Sequence, residues 1–192
     1  MKRALAIPNF TDPVELRELK WQEVLKEPEQ AAFLRDNGLL VNPYYEIRRL
    51  SVDGEAIDTL VMESFSTLSF DVYDGKDDPG ALIEGPFSHV DNYKGLLPVM
   101  SEVSKDIKKL AELRVILEPD SISFAFMPDG EMRLFLFDFE RMLTKNDSEG
   151  LEEWYAWIVV NKLDNLFGFE QGRQFEMQGY DPQKLAEDLI TN

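Results

Sequence analysis

The chain has 192 residues, 44% of them hydrophobic, with 13 phenylalanines, one histidine, no cysteine and a formal net charge of −17. These values predict a single acidic domain with a sizeable core, and they exclude disulfides, cysteine nucleophiles, thiolate metal sites and metal sites built on several histidines. A field of this sign also disfavours direct contact with nucleic acid or an anionic membrane, because phosphate contacts need lysine and arginine.

Residues 3–7 read as a short first strand. Only Ala4-Leu5-Ala6-Ile7 separate Met1-Lys2-Arg3 from Pro8, which is too short for the apolar part of a secretory signal. No stretch approaches a membrane span, and the chain reads as cytoplasmic. Thr11-Asp12-Pro13 then supplies a helix start, with Leu16, Leu19 and Val24 at helical spacing over about 14–26. Pro28 breaks that run. A second short helix is expected over Glu29–Asp36, stopped by Asn37-Gly38, with Phe33 and Leu34 facing the core.

Residues 44–63 read as a hairpin around Asp53-Gly54, a strong two-residue turn signal. That turn pairs Val52 with Glu55 and sets Leu50 opposite Ile57, Arg49 opposite Asp58, Ile47 opposite Leu60 and Tyr45 opposite Met62. Thr67–Tyr73 alternates, with Leu68, Phe70 and Val72 inward, and reads as a strand with one wet face. The segment from Asp74 to about His89 is loop-like. A main helix follows over 98–114, with Val99, Val103, Ile107, Leu110 and Arg114 on one stripe.

Residues 121–141, SISFAFMPDGEMRLFLFDFER, form the predicted spine of the fold. Pro128-Asp129-Gly130 is a turn that sets Met127 opposite Glu131. Phe126 then faces Met132, Phe124 faces Leu134 and Ile122 faces Leu136, all on one side. The other side carries Phe135 and Phe137 against Ala125, Ser123 and Ser121, which leaves room for a covering element. Strands apolar on both faces belong in the middle of a sheet. A helix over 150–166 follows, with Leu151, Trp154, Tyr155, Ile158, Val159, Leu163 and Leu166 inward and Trp157 on its flank. A last helix over 182–190 docks through Leu185 and Leu189. The elements come in blocks rather than strict alternation. The expected architecture is therefore α+β, a mainly antiparallel sheet from two hairpins and the 67–73 strand, packed by helices.

Chemistry is sparse. His89 is the only histidine, and no Gly-x-Ser-x-Gly elbow supplies a serine for it. No Walker A or Gly-x-Gly-x-x-Gly sequence is present, so no nucleotide cofactor is expected. Asp71, Asp74, Asp77, Asp78 and Glu84 are hard-cation ligand types but do not follow the EF-hand spacing, and no metal site is assigned. Asp138 and Glu140, at the end of the central strand, are weak catalytic candidates. Paired carboxylates there suit hydrolysis, unless Arg141 or Arg133 neutralises them.

Residues 51–100 carry ten acidic and two basic side chains, against eight and eight in 1–50. That excess favours encounter with a basic protein. Asp71, Asp74, Asp77 and Asp78 are the expected electrostatic face, with Tyr73 as an aromatic anchor. The segment WQEVLKEPEQAAFLRDNG resembles the N-terminal part of the SUKH family, which carries a proline, then Phe-Leu, then Asn-Gly, here Pro28, Phe33-Leu34 and Asn37-Gly38. Members of that family are often toxin-neutralising immunity proteins, and the resemblance implies a role of that kind. The expected function is a binding module of the immunity-protein, inhibitor or chaperone type for a basic partner. The alternatives are a carboxylate-based hydrolase, with or without metal assistance, and a DNA-mimic inhibitor.

Overall fold

The computed structural model describes residues 3–6, 21–52, 54–73, 101–129, 131–167 and 182–191. They form an α+β fold. Strand β1 (Arg3–Ala6) pairs antiparallel with β4 (Glu55–Glu63), which pairs on its other side with β3 (Tyr45–Val52). Gly54 has φ +87°, the left-handed conformation the two-residue turn requires. The register is the one the turn dictates, from Val52 opposite Glu55, through Arg49 opposite Asp58, to Tyr45 opposite Met62.

The second hairpin, β7 (Ile122–Phe126) and β8 (Met132–Leu136), sits in a separate four-stranded sheet. Its neighbours are β2 (Leu40–Val41), parallel to β8, and β5 (Asp71–Tyr73), antiparallel to β7. The two hairpins thus belong to different sheets rather than one. At the turn, Met127 N–H donates to Glu131 O at 2.9 Å and Glu131 N–H donates to Asp129 Oδ1 at 3.1 Å. Phe126, Phe124 and Ile122 face Met132, Leu134 and Leu136, as the turn chemistry predicts.

Both faces of this sheet are covered. One packs Ile122, Phe124, Met132 and Leu134 against helices α1 (Glu27–Asp36), α2 (Ser101–Glu112), α3 (Leu151–Phe167) and α4 (Pro182–Thr191). The other packs Phe135 and Ala125 under Leu68 and Phe70. Phe65 meets Phe135 and Phe137 edge-on, with ring centroids 5.5 and 5.3 Å away. Small residues on β7 leave space for these rings, and truncating a buried phenylalanine here costs about 3–5 kcal/mol.

The covering element is not a full strand. Residues 65–67 make a 3-10 turn, 68–70 bend, and only 71–73 pair. The expected wet face of β5 is not found at Asp71, which lies opposite Phe126 and is fully buried. Three further expectations change. Phe33 is 41% exposed, since Ala31 and Leu34 take the core side of α1. Arg114 falls beyond the end of α2 with φ +57°, and its guanidinium donates to Asn146 O at 2.9 Å. Trp154 is on the outside of α3. Helix α1 starts at Glu27, with Pro28 in its first turn, where a missing N–H breaks no helical bond. It ends at Asn37-Gly38, with Gly38 at φ +86°.

Asn42 joins the two sheets. Fully buried, it donates from its side chain to Glu63 O at 2.8 Å and accepts from Glu63 N–H at 3.2 Å, while its own N–H donates to Leu136 O at 3.3 Å. Strands β6 (Val115–Ile116) and β9 (Leu143–Thr144) form a small ribbon beside α3. Tyr155 ties α3 to it, donating its hydroxyl to Val115 O at 2.8 Å.

Candidate functional site at the open end of the central hairpin

The turn end of the central hairpin is closed by Pro128 and Asp129; the open end carries the charge. Residues 119–121 make a 3-10 turn into β7, and 137–141 leave β8 beside it. Ser121 Oγ donates to Asp138 O at 2.6 Å, and Phe137 N–H donates to Ser121 O at 3.1 Å, which fixes the two segments together. Between them lies a depression of about 110 Å³ lined by Glu118, Asp120, Ser121, Asp138, Glu140 and Arg141.

Asp138 has φ +56°, a left-handed conformation that aspartate tolerates better than most residues. The Asp138 side chain stands at the surface, and partial desolvation of its carboxyl raises its pKa; the Glu140 and Asp120 charges add to that, and Arg141 opposes them. Arg141 reaches Glu118 at 3.1 Å and Glu140 at 3.5 Å. Glu140 is therefore partly neutralised, and no aromatic side chain lines the depression.

Beneath it lies Glu27, 3% exposed at the start of α1. Its Oε2 accepts from Phe139 N–H at 3.2 Å. Burial pushes its pKa up to about 8; the Phe139 bond opposes this, and the Asp138 and Glu140 charges add to it. Near neutrality it is held as the acid. Tyr45 packs its ring on Phe139, centroids 5.8 Å apart, with its hydroxyl buried beside the Asp138 backbone. Burial raises the Tyr45 pKa well above its usual value, and Glu27 raises it further.

The other expected site residues fare differently. Asp71 is buried and contributes nothing to an exposed face. Tyr73 is the last residue of β5, paired with Phe124, and its side chain lies outside the described residues, as do Asp74, Asp77, Asp78, Glu84 and His89. Among the described residues no group of three or more His, Asp or Glu side chains is arranged to hold a metal ion, and no helix is long and apolar enough to cross a membrane. Glu118 and Asp120 join Asp138 and Glu140 because the hairpin brings its two ends together. That pairing was derivable from the register. The position of Glu27 was not, because only tertiary packing carries α1 to residue 139.

The chain matches no protein-family model and no curated protein.

Proposed function

We propose that this chain is a binding module, of the immunity-protein, inhibitor or chaperone type, that engages a basic partner protein through surface carboxylates. The observation that carries this reading is the group of Glu118, Asp120, Asp138 and Glu140, four carboxylates with one arginine at the open end of the central hairpin. Hydrogen bonds between the two segments hold their backbone, so the charges are presented with little ordering left to do on binding. A depression of about 110 Å³ accepts a lysine or arginine side chain and is well below the roughly 300–1,000 Å³ of small-molecule pockets. The overall charge of −17 speeds encounter with a cationic surface.

The test is capture on the tagged chain in low and then high salt, with the eluate identified by mass spectrometry. A stoichiometric basic protein is expected at low salt and lost at high salt. The triple variant Glu118→Gln, Asp120→Asn, Glu140→Gln should weaken capture. Salt-insensitive capture, or a triple variant that binds like the wild type, overturns the reading. If DNA competes with the chain for its partner, the narrower DNA-mimic form applies. A carboxylate-based hydrolase is the second reading, favoured by the raised pKa of Asp138 beside Glu140. Hydrolysis abolished by Asp138→Asn while binding persists would establish it.

A further inference from the structure

We infer that Trp154 and Trp157, on the outer face of α3, form an aromatic anchor that receives arginine side chains of a basic protein segment. The inference rests on the reading of the chain as a module for a basic partner, and adds a second contact surface to it.

Helix α3 completes its core contacts without these two rings. Leu151, Tyr155, Ile158, Val159 and Leu163 are buried and share one side of the helix at 100° per residue. Trp157 falls on the opposite side and Trp154 on the flank next to it, 54% and 39% exposed. Three residues apart, they stack on each other with ring centroids 5.4 Å apart and planes 19° apart. Together they present on the order of 200 Å² of aromatic surface to water. Asn161, one turn beyond, turns its amide back to donate to Trp157 O at 2.8 Å. The two indoles are thus pre-stacked, a rigid platform with little rotamer freedom left to lose.

The surrounding charge selects the occupant. Glu153 is exposed on the same face, and Glu152, Glu149 and Asp147 lie at the same end of the helix. Two cations stand beside them and both are engaged: Lys145 has Nζ 3.0 Å from Asp147 Oδ1 and donates to Glu149 O at 2.5 Å, and Arg114 donates to Asn146 O at 2.9 Å. A second copy of this chain would bring like charge to like charge. A purely apolar partner would strip water from carboxylates and give nothing back. An arginine satisfies both features: its planar guanidinium stacks on an indole face while its N–H fork donates to a carboxylate. Lysine brings the charge without the stacking plane.

The experiment titrates the full chain with an oligoarginine and an oligolysine peptide of equal length at low salt. Affinity is read by calorimetry and contact by tryptophan emission. Wild type is compared with Trp154→Ala/Trp157→Ala and with Trp157→Phe. The expected result is about fivefold or greater preference for oligoarginine with a shift in indole emission. The double variant should lose the preference and keep a weaker, salt-sensitive affinity for both peptides; Trp157→Phe should keep part of it. Equal affinities in the wild type, or a preference that survives the double variant, overturn the anchor while the basic-partner reading stands. If neither peptide binds, that reading fails and the anchor fails with it. Concentration-dependent dimers in sedimentation, abolished by the double variant, reassign the pair to a second copy and also overturn it. Circular dichroism checks folding, which solvent-facing substitutions should leave intact.

Discussion

Two carboxyl groups in this protein are buried to the same degree and are stabilised in opposite ways. Asp106 on α2 and Glu27 on α1 are each 3% exposed. Asp106 receives Arg133 from β8, with Nη2 donating at 2.6 Å and Nε at 3.3 Å, and also Leu134 N–H at 3.0 Å. Burial raises its pKa, and the Arg133 hydrogen bonds and charge hold it down. Glu27 receives one backbone N–H and faces Asp138 and Glu140, both of its own sign. Its burial is therefore met by a retained proton instead of a cation. The contrast separates a helix–sheet joint, made with a charge pair, from the underside of the acidic surface, where Glu27 has no ion-pair partner among the described residues.

The largest expected effect comes from breaking the paired side. Arg133→Met leaves Asp106 buried without its cation, and loss of one partner of a buried pair costs about 3–5 kcal/mol. Urea denaturation at neutral pH should show that loss. Adding Asp106→Asn in the same chain should recover much of it, because the amide oxygen still accepts from Leu134 N–H. A loss below about 1 kcal/mol in Arg133→Met would mean that water reaches Asp106 and that the pair is not a joint.

The second effect belongs to Glu27, and its sign follows from linkage. Its pKa is raised from 4.5 to about 8 in the fold, so between those values the folded chain holds a proton that the unfolded chain releases. The contribution is fully present below pH 4.5 and is lost as pH rises through about 8. A proton held across that pH range is worth on the order of several kcal/mol, and relaxation around the buried carboxylate reduces the loss. Glu27→Gln is neutral throughout and keeps a carbonyl for Phe139 N–H. It should flatten this part of the stability–pH curve and stabilise the protein above pH 8. An unchanged slope in the variant would mean that Glu27 ionises normally.

How much of this contrast is readable from sequence depends on what sets each position. Both hairpin registers follow from Asp53-Gly54 and Pro128-Asp129-Gly130, because a short turn fixes every pair beyond it. The apolar faces of β7 and β8 follow from alternation. The weak points are residues whose partners lie far along the chain. Asp71 reads as a surface acid yet is buried beside β7, and Glu27, next to the Pro28 break, carries no local sign of its burial. Trp154 reads as core from its spacing, but the inner side of α3 is filled by Tyr155 and Ile158, and the ring turns out to stack on Trp157. The paired register ends at Leu136, and Asp138, with φ +56°, breaks the alternation, so that Phe139 joins the core of Leu134 and Leu136 while Asp138 is exposed. The link of Asp138 and Glu140 to Glu27 depends on the α1 start packing under residue 139, for which no local pattern exists.

The smallest effect sharpens the link between the buried acid and the surface. Asp138→Asn removes one of the two charges that raise the Glu27 pKa and keeps a side chain that tolerates φ near +56°. The titration midpoint of Glu27, followed by the carbon resonance of its carboxyl, should fall by roughly half a pH unit. Added salt should do the same in the wild type, since Asp138 is at the surface where ions screen it, and should do less in Asp138→Asn. Burial is the larger cause of the raised pKa, so most of the elevation should survive both treatments. If neither treatment moves the titration at all, burial alone sets it, and the proton on Glu27 reports nothing about the surface above. If both do, a cationic partner seated over Asp138 and Glu140 should lower the Glu27 pKa as well, and bind with a release of protons near pH 8.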